Sequence, residues 1–204
     1  FYSKTMNTIK FILHNTTNMP MNNVRIGDQR LESGMELQPF TEVNVLGPGV
    51  QQSVKLYVDF GSKIRTAKFD LNFDKTSGDG VSKGVYAVSL TPTSGELMEP
   101  LSLSEQEFDS VAKTLKGMHE STQNIGPKEE LKETVVELVL MQANMFPIAS
   151  SEEGVYRFAA QTLSSDKHPV LLLVDLGKGT VRGNSESTLL GRQLVKEVKE
   201  TLNK

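Results

Sequence analysis

The chain contains no cysteine and no tryptophan. The first absence excludes a disulfide framework and any thiolate metal site, and makes a reducing compartment, the cytosol, the expected one. Histidine is also scarce. His14, His119 and His168 fall in separate segments with no carboxylate or second histidine at ligand spacing, so no metal centre is expected. Long apolar runs are missing: Val170 to Val174 and Leu138 to Met141 are the longest, far below the roughly 18 residues that span a bilayer. No membrane insertion is expected. There is no excess of positive charge either, since the formal net charge is −3 and the pI about 5.7, which argues against a phosphate-backbone partner such as nucleic acid. The chain opens Phe-Tyr-Ser-Lys, without an initiator methionine or a charged and then apolar leader, and is expected to be a piece of a longer protein.

Material for catalysis is equally thin. The glycine-rich stretches Gly47-Pro-Gly49, Gly78-Asp-Gly80 and Gly177-Lys-Gly179 match neither the dinucleotide fingerprint nor the phosphate loop, and each separates strand-like runs as a turn would. The serine pairs Ser150-Ser151 and Ser164-Ser165 lack a nucleophile elbow. No enzyme activity and no cofactor are expected. Asn15-Thr-Thr17 spells a glycosylation sequon that a cytosolic chain would leave unused. The acids Glu129, Glu130, Glu133 and Glu137 read as the solvated side of an amphipathic helix before they read as a binding face.

What is present is a change of period. From Thr5 to about Pro92 the apolar residues alternate: Ile9, Phe11 and Leu13; Val54, Leu56, Val58 and Phe60; Phe69, Leu71 and Phe73. Weaker strands are predicted at Val24 to Ile26, Thr41 to Leu46 and Val85 to Leu90, with turn-rich separators including Ser77-Gly-Asp-Gly80. Six or seven strands in this span predict an immunoglobulin-like antiparallel β-sandwich over residues 1–94.

Residues 95–204 predict an α+β domain. Ser104 and Glu107 form a capping box, Leu103 and Phe108 a hydrophobic staple, and Phe108, Val111, Ala112 and Leu115 an apolar stripe that Gly117 ends. A second helix is predicted from Pro127 at its first position, with Leu131, Val135, Leu138 and Val139 as its stripe. Strands follow at Val155 to Leu163 and Val170 to Leu176, the latter apolar enough to be central, then a hairpin into Thr180 to Gly183 and a closing helix from about Ser187. The link around Gly95 is short and carries Leu97, Met98 and Leu101, so the two modules are expected to pack together. Tyr156, Arg157 and Phe158 are the candidate partner-binding residues. Rings offer rigid area, an arginine fork can hold a carboxylate, and alternation puts Tyr156 and Phe158 on one face and Arg157 on the other. The alternative is that Arg157 only pairs with a neighbouring surface acid.

Gly95-Glu-Leu-Met-Glu-Pro100, Leu103-Ser-Glu-Gln-Glu-Phe108, Gly117-Met118, Tyr156-Arg-Phe-Ala-Ala160 and the closing helix, with Leu13-His-Asn-Thr-Thr17 and Val24-Arg-Ile-Gly27 before them, come in one order. In that order the chain resembles, over nearly its whole length, the carboxy-terminal appendage (ear) of beta-adaptins, the beta subunits of heterotetrameric adaptor protein complex 3. The resemblance implies an immunoglobulin-like sandwich and a platform of helices on an antiparallel sheet. It also implies a non-catalytic interaction module of a vesicle coat, cytoplasmic and peripheral on Golgi, endosomal and coated-vesicle membranes, in transport to lysosomes and related organelles. Its implied partners are accessory or regulatory trafficking proteins bound through peptide segments, and the other adaptor subunits through the parent chain. Related appendages hold peptides in a groove around a tryptophan and a tyrosine. Here Ser102 to Ser104 stand near the first position and Arg157 or Phe158 near the second. A small-ligand or enzymatic domain fused to a sandwich, or a structural spacer, are the alternatives.

Overall fold

The computed structural model describes residues 5–77 and 80–204, so the centre of the turn predicted at Ser77 to Gly80 lies outside the described residues. The chain divides into two compact units, Phe1–Gly61 with Arg65–Thr91, and Ser62–Ile64 with Pro92–Lys204.

Among the described residues the regular elements of the first unit are strands: β1 (Met6–His14), β2 (Met21–Arg30), β3 (Glu36–Gln38), β4 (Val43–Leu46), β5 (Gln51–Asp59), β6 (Ala67–Ser77) and β7 (Gly80–Leu90). They form two sheets, ordered β1-β5-β3 and β4-β2-β6-β7, with every pair antiparallel. Alternation sets the inner faces: in β5, Leu56 and Val58 are buried while Lys55 is exposed. The core draws Leu13 from one sheet and Val24, Val43, Leu46 and Leu71 from the other, with Phe40 beside them. Between β1 and β6 the rings of Phe11 and Phe69 lie tilted at 6.1 Å.

The second unit contains β8 (Met98–Pro100), α1 (Glu105–Thr114), β9 (Glu120–Asn124), α2 (Val135–Gln142), β10 (Phe146–Ile148), β11 (Val155–Thr162), β12 (Pro169–Asp175), β13 (Thr180–Ser185) and α3 (Thr188–Leu202). Its sheet runs β10-β11-β12-β13-β9, and β8 shares the β10 side of β11. β10 pairs with Arg157 to Ala159, and β8 with Ala160 to Thr162. The apolar β12 is central, as its composition predicts, with Val170, Leu171, Leu172 and Val174 all inaccessible.

Helices cover both faces. On one, Phe108 of α1 is buried with Ile148, Ala159 and Leu171, supported by Leu101 and Leu103, so the predicted staple is in place. Ser104 accepts from the Glu107 N–H at 3.3 Å while the Glu107 carboxylate accepts from the Ser104 N–H at 2.7 Å, and Gly117 follows with φ +70. On the other face lies α3, whose approach requires glycine in β13: a Cβ on Gly183 would stand 2.7 Å from the Val195 side chain.

The second helix begins later than Pro127 predicts. Residues 128–134 make i to i+3 bonds, Leu131 N–H to Lys128, Lys132 to Glu129 and Thr134 to Leu131, so a 3₁₀ turn at Glu129–Leu131 precedes α2. The Lys128 N–H is taken by the Leu176 carbonyl at 3.1 Å, and the backbone of Gly126 packs on Gly179, which ties this entry to the β12–β13 turn.

Candidate functional site

Direct pairing along the sheet places Arg157 (β11), Leu173 (β12), Arg182 (β13) and Thr122 (β9) in one row on the face that α1 covers. α1 is short and shields only part of this face. Beside it remains a cleft of about 400 Å³ lined by Asp109, Glu120, Thr122, Arg157, Asp175 and Arg182, among others.

Arg157 organises the cleft. Its side chain is only 4% exposed and is ringed by acids: Nη1 lies 3.1 Å from Glu105 Oε1, Nη2 3.0 Å from Glu152 Oε1, and Nε 3.7 Å from Asp109 Oδ1. Nη1 also donates to the Ser150 hydroxyl. Two of these acids come from α1, where Glu105 and Asp109 sit one turn apart, and the third from the loop after β10. Glu105 binds that loop as well, accepting from the Ser151 N–H at 3.0 Å and from its hydroxyl at 3.1 Å. The Ser151 backbone bond holds the Glu105 carboxyl below its ordinary range, helped by the Ser151 hydroxyl and Arg157, with burial opposing. Farther along the cleft, burial works against ionisation of Asp175, yet the backbone and side chain of Lys178 outweigh it and its acidity stays raised. The Nε of Arg182 is buried without a hydrogen-bond partner among the described residues, 4.0 Å from Glu120 Oε2.

A second groove, about 310 Å³, adjoins the first across Glu152, Val155 and Arg157. It lies where, among the described residues, β10 and β8 leave Val155 and Tyr156 without a partner strand on that side, and Val136, Pro147, Tyr156 and the loop after β10 form its walls. Tyr156 is half-buried and its hydroxyl donates to the Lys132 carbonyl at 2.8 Å.

The three residues predicted for binding therefore lie together along the second groove in unequal states. Tyr156 presents part of its ring. Phe158 has no accessible surface and pairs beside Leu172 on the opposite face from Arg157. Arg157 is a structural cation committed to the protein's own acids, so it has no free fork for a partner's carboxylate. Sequence reading missed Glu105, Asp109 and Glu152; the i, i+4 spacing of the first two was the available signal. Ser102 to Ser104 form the entry to α1, with Ser104 as its N-cap. Among the described residues no group of three or more histidine and acidic side chains could hold a metal ion, and no helix is long and apolar enough to cross a membrane.

Comparison with known proteins gives this geometry a context. Residues 95–202 match the family described as AP-3 complex subunit beta-1, C-terminal domain. Residues 1–65 match the C-terminal family of the clathrin-adaptor complex-3 beta-1 subunit. The AP-3 complex subunit beta-1 of Mus musculus is 30% identical over 99% of the chain, and the beta-2 subunit of the same species 29% over 97%. The AP-3 complex subunit beta of Dictyostelium discoideum is 24% identical over 97% of the chain. The chain spans only 18% of each mouse relative and 20% of the Dictyostelium one. With two successive carboxy-terminal profiles matched in order, and relatives aligned from end to end of the chain, it belongs to the family of carboxy-terminal domains of AP-3 complex beta subunits.

Proposed function

We propose that this chain is the non-catalytic interaction appendage of a vesicle-coat adaptor complex. In this reading residues 1–94 are an immunoglobulin-like sandwich subdomain and residues 95–204 a platform subdomain. The appendage recruits accessory proteins through peptide segments, on the cytoplasmic side of Golgi, endosomal and coated-vesicle membranes, in transport to lysosomes and related organelles. The parent chain joins it to the other adaptor subunits.

The observation that carries this reading is the pair of adjoining grooves around Arg157. A small helix leaves part of a sheet face uncovered, and an ion-paired arginine fixes the walls instead of offering itself to a ligand. Preorganised walls lower the ordering cost of binding a flexible segment. Contact then falls to Tyr156, with its apolar body and fixed hydroxyl, and to the apolar wall of Val136 and Pro147. Arg157 and Phe158 support the site from beneath.

Affinity capture from cytosol tests the proposal. The intact chain is expected to enrich coat-accessory proteins, and Tyr156→Ala to lose them while circular dichroism stays unchanged. If the intact chain enriched none, the recruitment reading would fall; if Tyr156→Ala captured them all equally, this site would.

A further inference from the structure

The two edges of the second unit's sheet are built differently. On the β11 side the edge is divided between two three-residue strands, and each contains a proline, Pro100 in β8 and Pro147 in β10. Proline lacks the N–H that a further strand would use, so this edge is protected. The other edge is β9, Glu120-Ser-Thr-Gln-Asn124, which has no proline and pairs with β13 in unbroken register through all five residues. Among the described residues no strand pairs with its outer side.

Beside that open edge lies a trough of about 670 Å³, lined by Ser121 and Gln123 of β9 and by Leu189, Arg192, Lys196 and Glu200 from the flank of α3. At one end the lining includes the apolar side chain of Leu189, 58% exposed, and Met118, 81% exposed, is tied to the start of α3 by its carbonyl, which accepts from Thr188 Oγ1 at 3.3 Å. Along the trough follow two cations. Arg192 makes no ion pair among the described residues, and Lys196 has only Glu200, at 3.9 Å. The other acid there, Glu197, is turned inward: it accepts from the Ser94 N–H at 3.0 Å, from the Ser94 hydroxyl and from Gln193 at 2.7 Å.

We propose that the free edge of β9 takes an extended segment of a partner protein as an additional antiparallel strand, with an apolar side chain against Met118 and Leu189 and a carboxylate against Arg192 and Lys196. Main-chain hydrogen bonds to β9 supply affinity, and the side chains entering the trough supply selection. The order of the two anchors follows from the topology. β13 is antiparallel to β9, and α3 returns over the sheet after β13, so α3 runs in the direction of β9 and starts beside its start. An antiparallel addition, the only kind of pairing in this sheet, meets Lys196 first and Leu189 last. The carboxylate therefore precedes the apolar residue. This inference rests on the recruitment reading but uses a different surface from the Arg157 grooves.

The test uses the intact 204-residue chain and a displayed library of random short peptides, followed by synthetic peptides of the selected sequences. Selected peptides are expected to carry an acidic residue before an apolar one. Arg192→Glu with Lys196→Glu is expected to weaken them by about tenfold or more, and Leu189→Asp to a similar degree, all three sites being outside the core. N-methylation of alternate peptide backbone nitrogens separates strand addition from side-chain docking: methyl groups on the β9-facing nitrogens should abolish binding and those on the others should not. Hydrogen exchange at Ser121 to Gln123 should slow on binding. Peptides that bind equally to the charge-reversed and Leu189→Asp variants, or whose N-methylation has no directional effect, overturn the proposal. If no peptide is selected while Tyr156-dependent capture from cytosol persists, the β9 site is wrong and the recruitment function stands; if neither occurs, both are wrong.

Discussion

Asn15 is a fully buried side chain whose amide is used on both sides. Its Nδ2 donates to the carbonyls of Met19 at 2.8 Å and Leu46 at 2.9 Å, and its Oδ1 accepts from the Thr17 N–H at 3.0 Å and hydroxyl at 2.7 Å. The sequon is thus a structural lock, and glycan attachment would require unfolding it. Asn15→Ala strands the Leu46 carbonyl and the Thr17 N–H, while the Met19 carbonyl keeps the Thr17 hydroxyl, and is expected to cost about 2–3 kcal/mol, read as a lowered urea midpoint. Arg157 is the contrasting case. Its partners Glu105, Asp109 and Glu152 are 28%, 50% and 62% exposed, so they stay hydrated when the guanidinium is removed. Arg157→Leu is therefore expected to cost about 2 kcal/mol, less than the 3–5 kcal/mol typical of breaking a fully buried pair. Sequence placed Arg157 on the face opposite Phe158, as the strand register does, because alternation is local information. It could not assign the partners, because Glu152 comes from a loop whose path is set by the sheet.

At the scale of elements, α1 was the most legible. Ser104→Ala is expected to cost about 1 kcal/mol through the lost cap, and Phe108→Ala about 3–5 kcal/mol, since its ring is 1% exposed in the cluster with Ile148, Ala159 and Leu171. Thermal melts of the two variants should show that ordering; equal, small losses would mean the box and the ring are idle. Strands with strict alternation, β5 and β6, were equally plain. β2 gave a weak signal because register shifts between Asn22 and Arg25 and between Ile26 and Gln29 interrupt its period, with Asn23 at φ 54. The three-residue strands β3, β8 and β10 are too short to show a period. β9 is hidden for another reason: its five residues are all polar, so pairing with β13 and not hydrophobic pattern makes it a strand. The delayed start of α2 belongs here too, since Pro127 and the following acids are an authentic start signal overruled by the bonds that 126–128 make to the β12–β13 turn.

For the whole chain the charge arrangement sets how stability depends on pH. Among the described residues four carboxyls lie below their ordinary values: Asp70 through the Arg30 hydrogen bond, Glu105 through the Ser151 N–H, Glu107 through the Ser104 N–H, and Asp175, where Lys178 outweighs burial. A carboxyl more acidic when folded stabilises the fold above its unfolded pKa, about 4, and that contribution fades as pH falls through the lower folded value, because the unfolded chain then binds more protons. Lys132 runs the other way. Its ammonium is held up by hydrogen bonds to Glu129 and Glu153, so its contribution is complete below about pH 10 and fades as pH rises beyond. The urea midpoint is therefore expected to be level near neutrality and to fall below about pH 4. Three of the four carboxyls, Glu105, Glu107 and Asp175, belong to the second unit and one, Asp70, to the first. Hydrogen exchange during acidification should accordingly lose protection in β11, β12 and α1 before β5 and β6. The double variant Glu105→Gln, Glu107→Gln should be less stable than the parent at pH 7 and converge with it in acid, where the parent's carboxyls are protonated as well. A constant gap between the two across the whole pH range would mean that the loop and cap bonds owe nothing to the charge of these carboxylates.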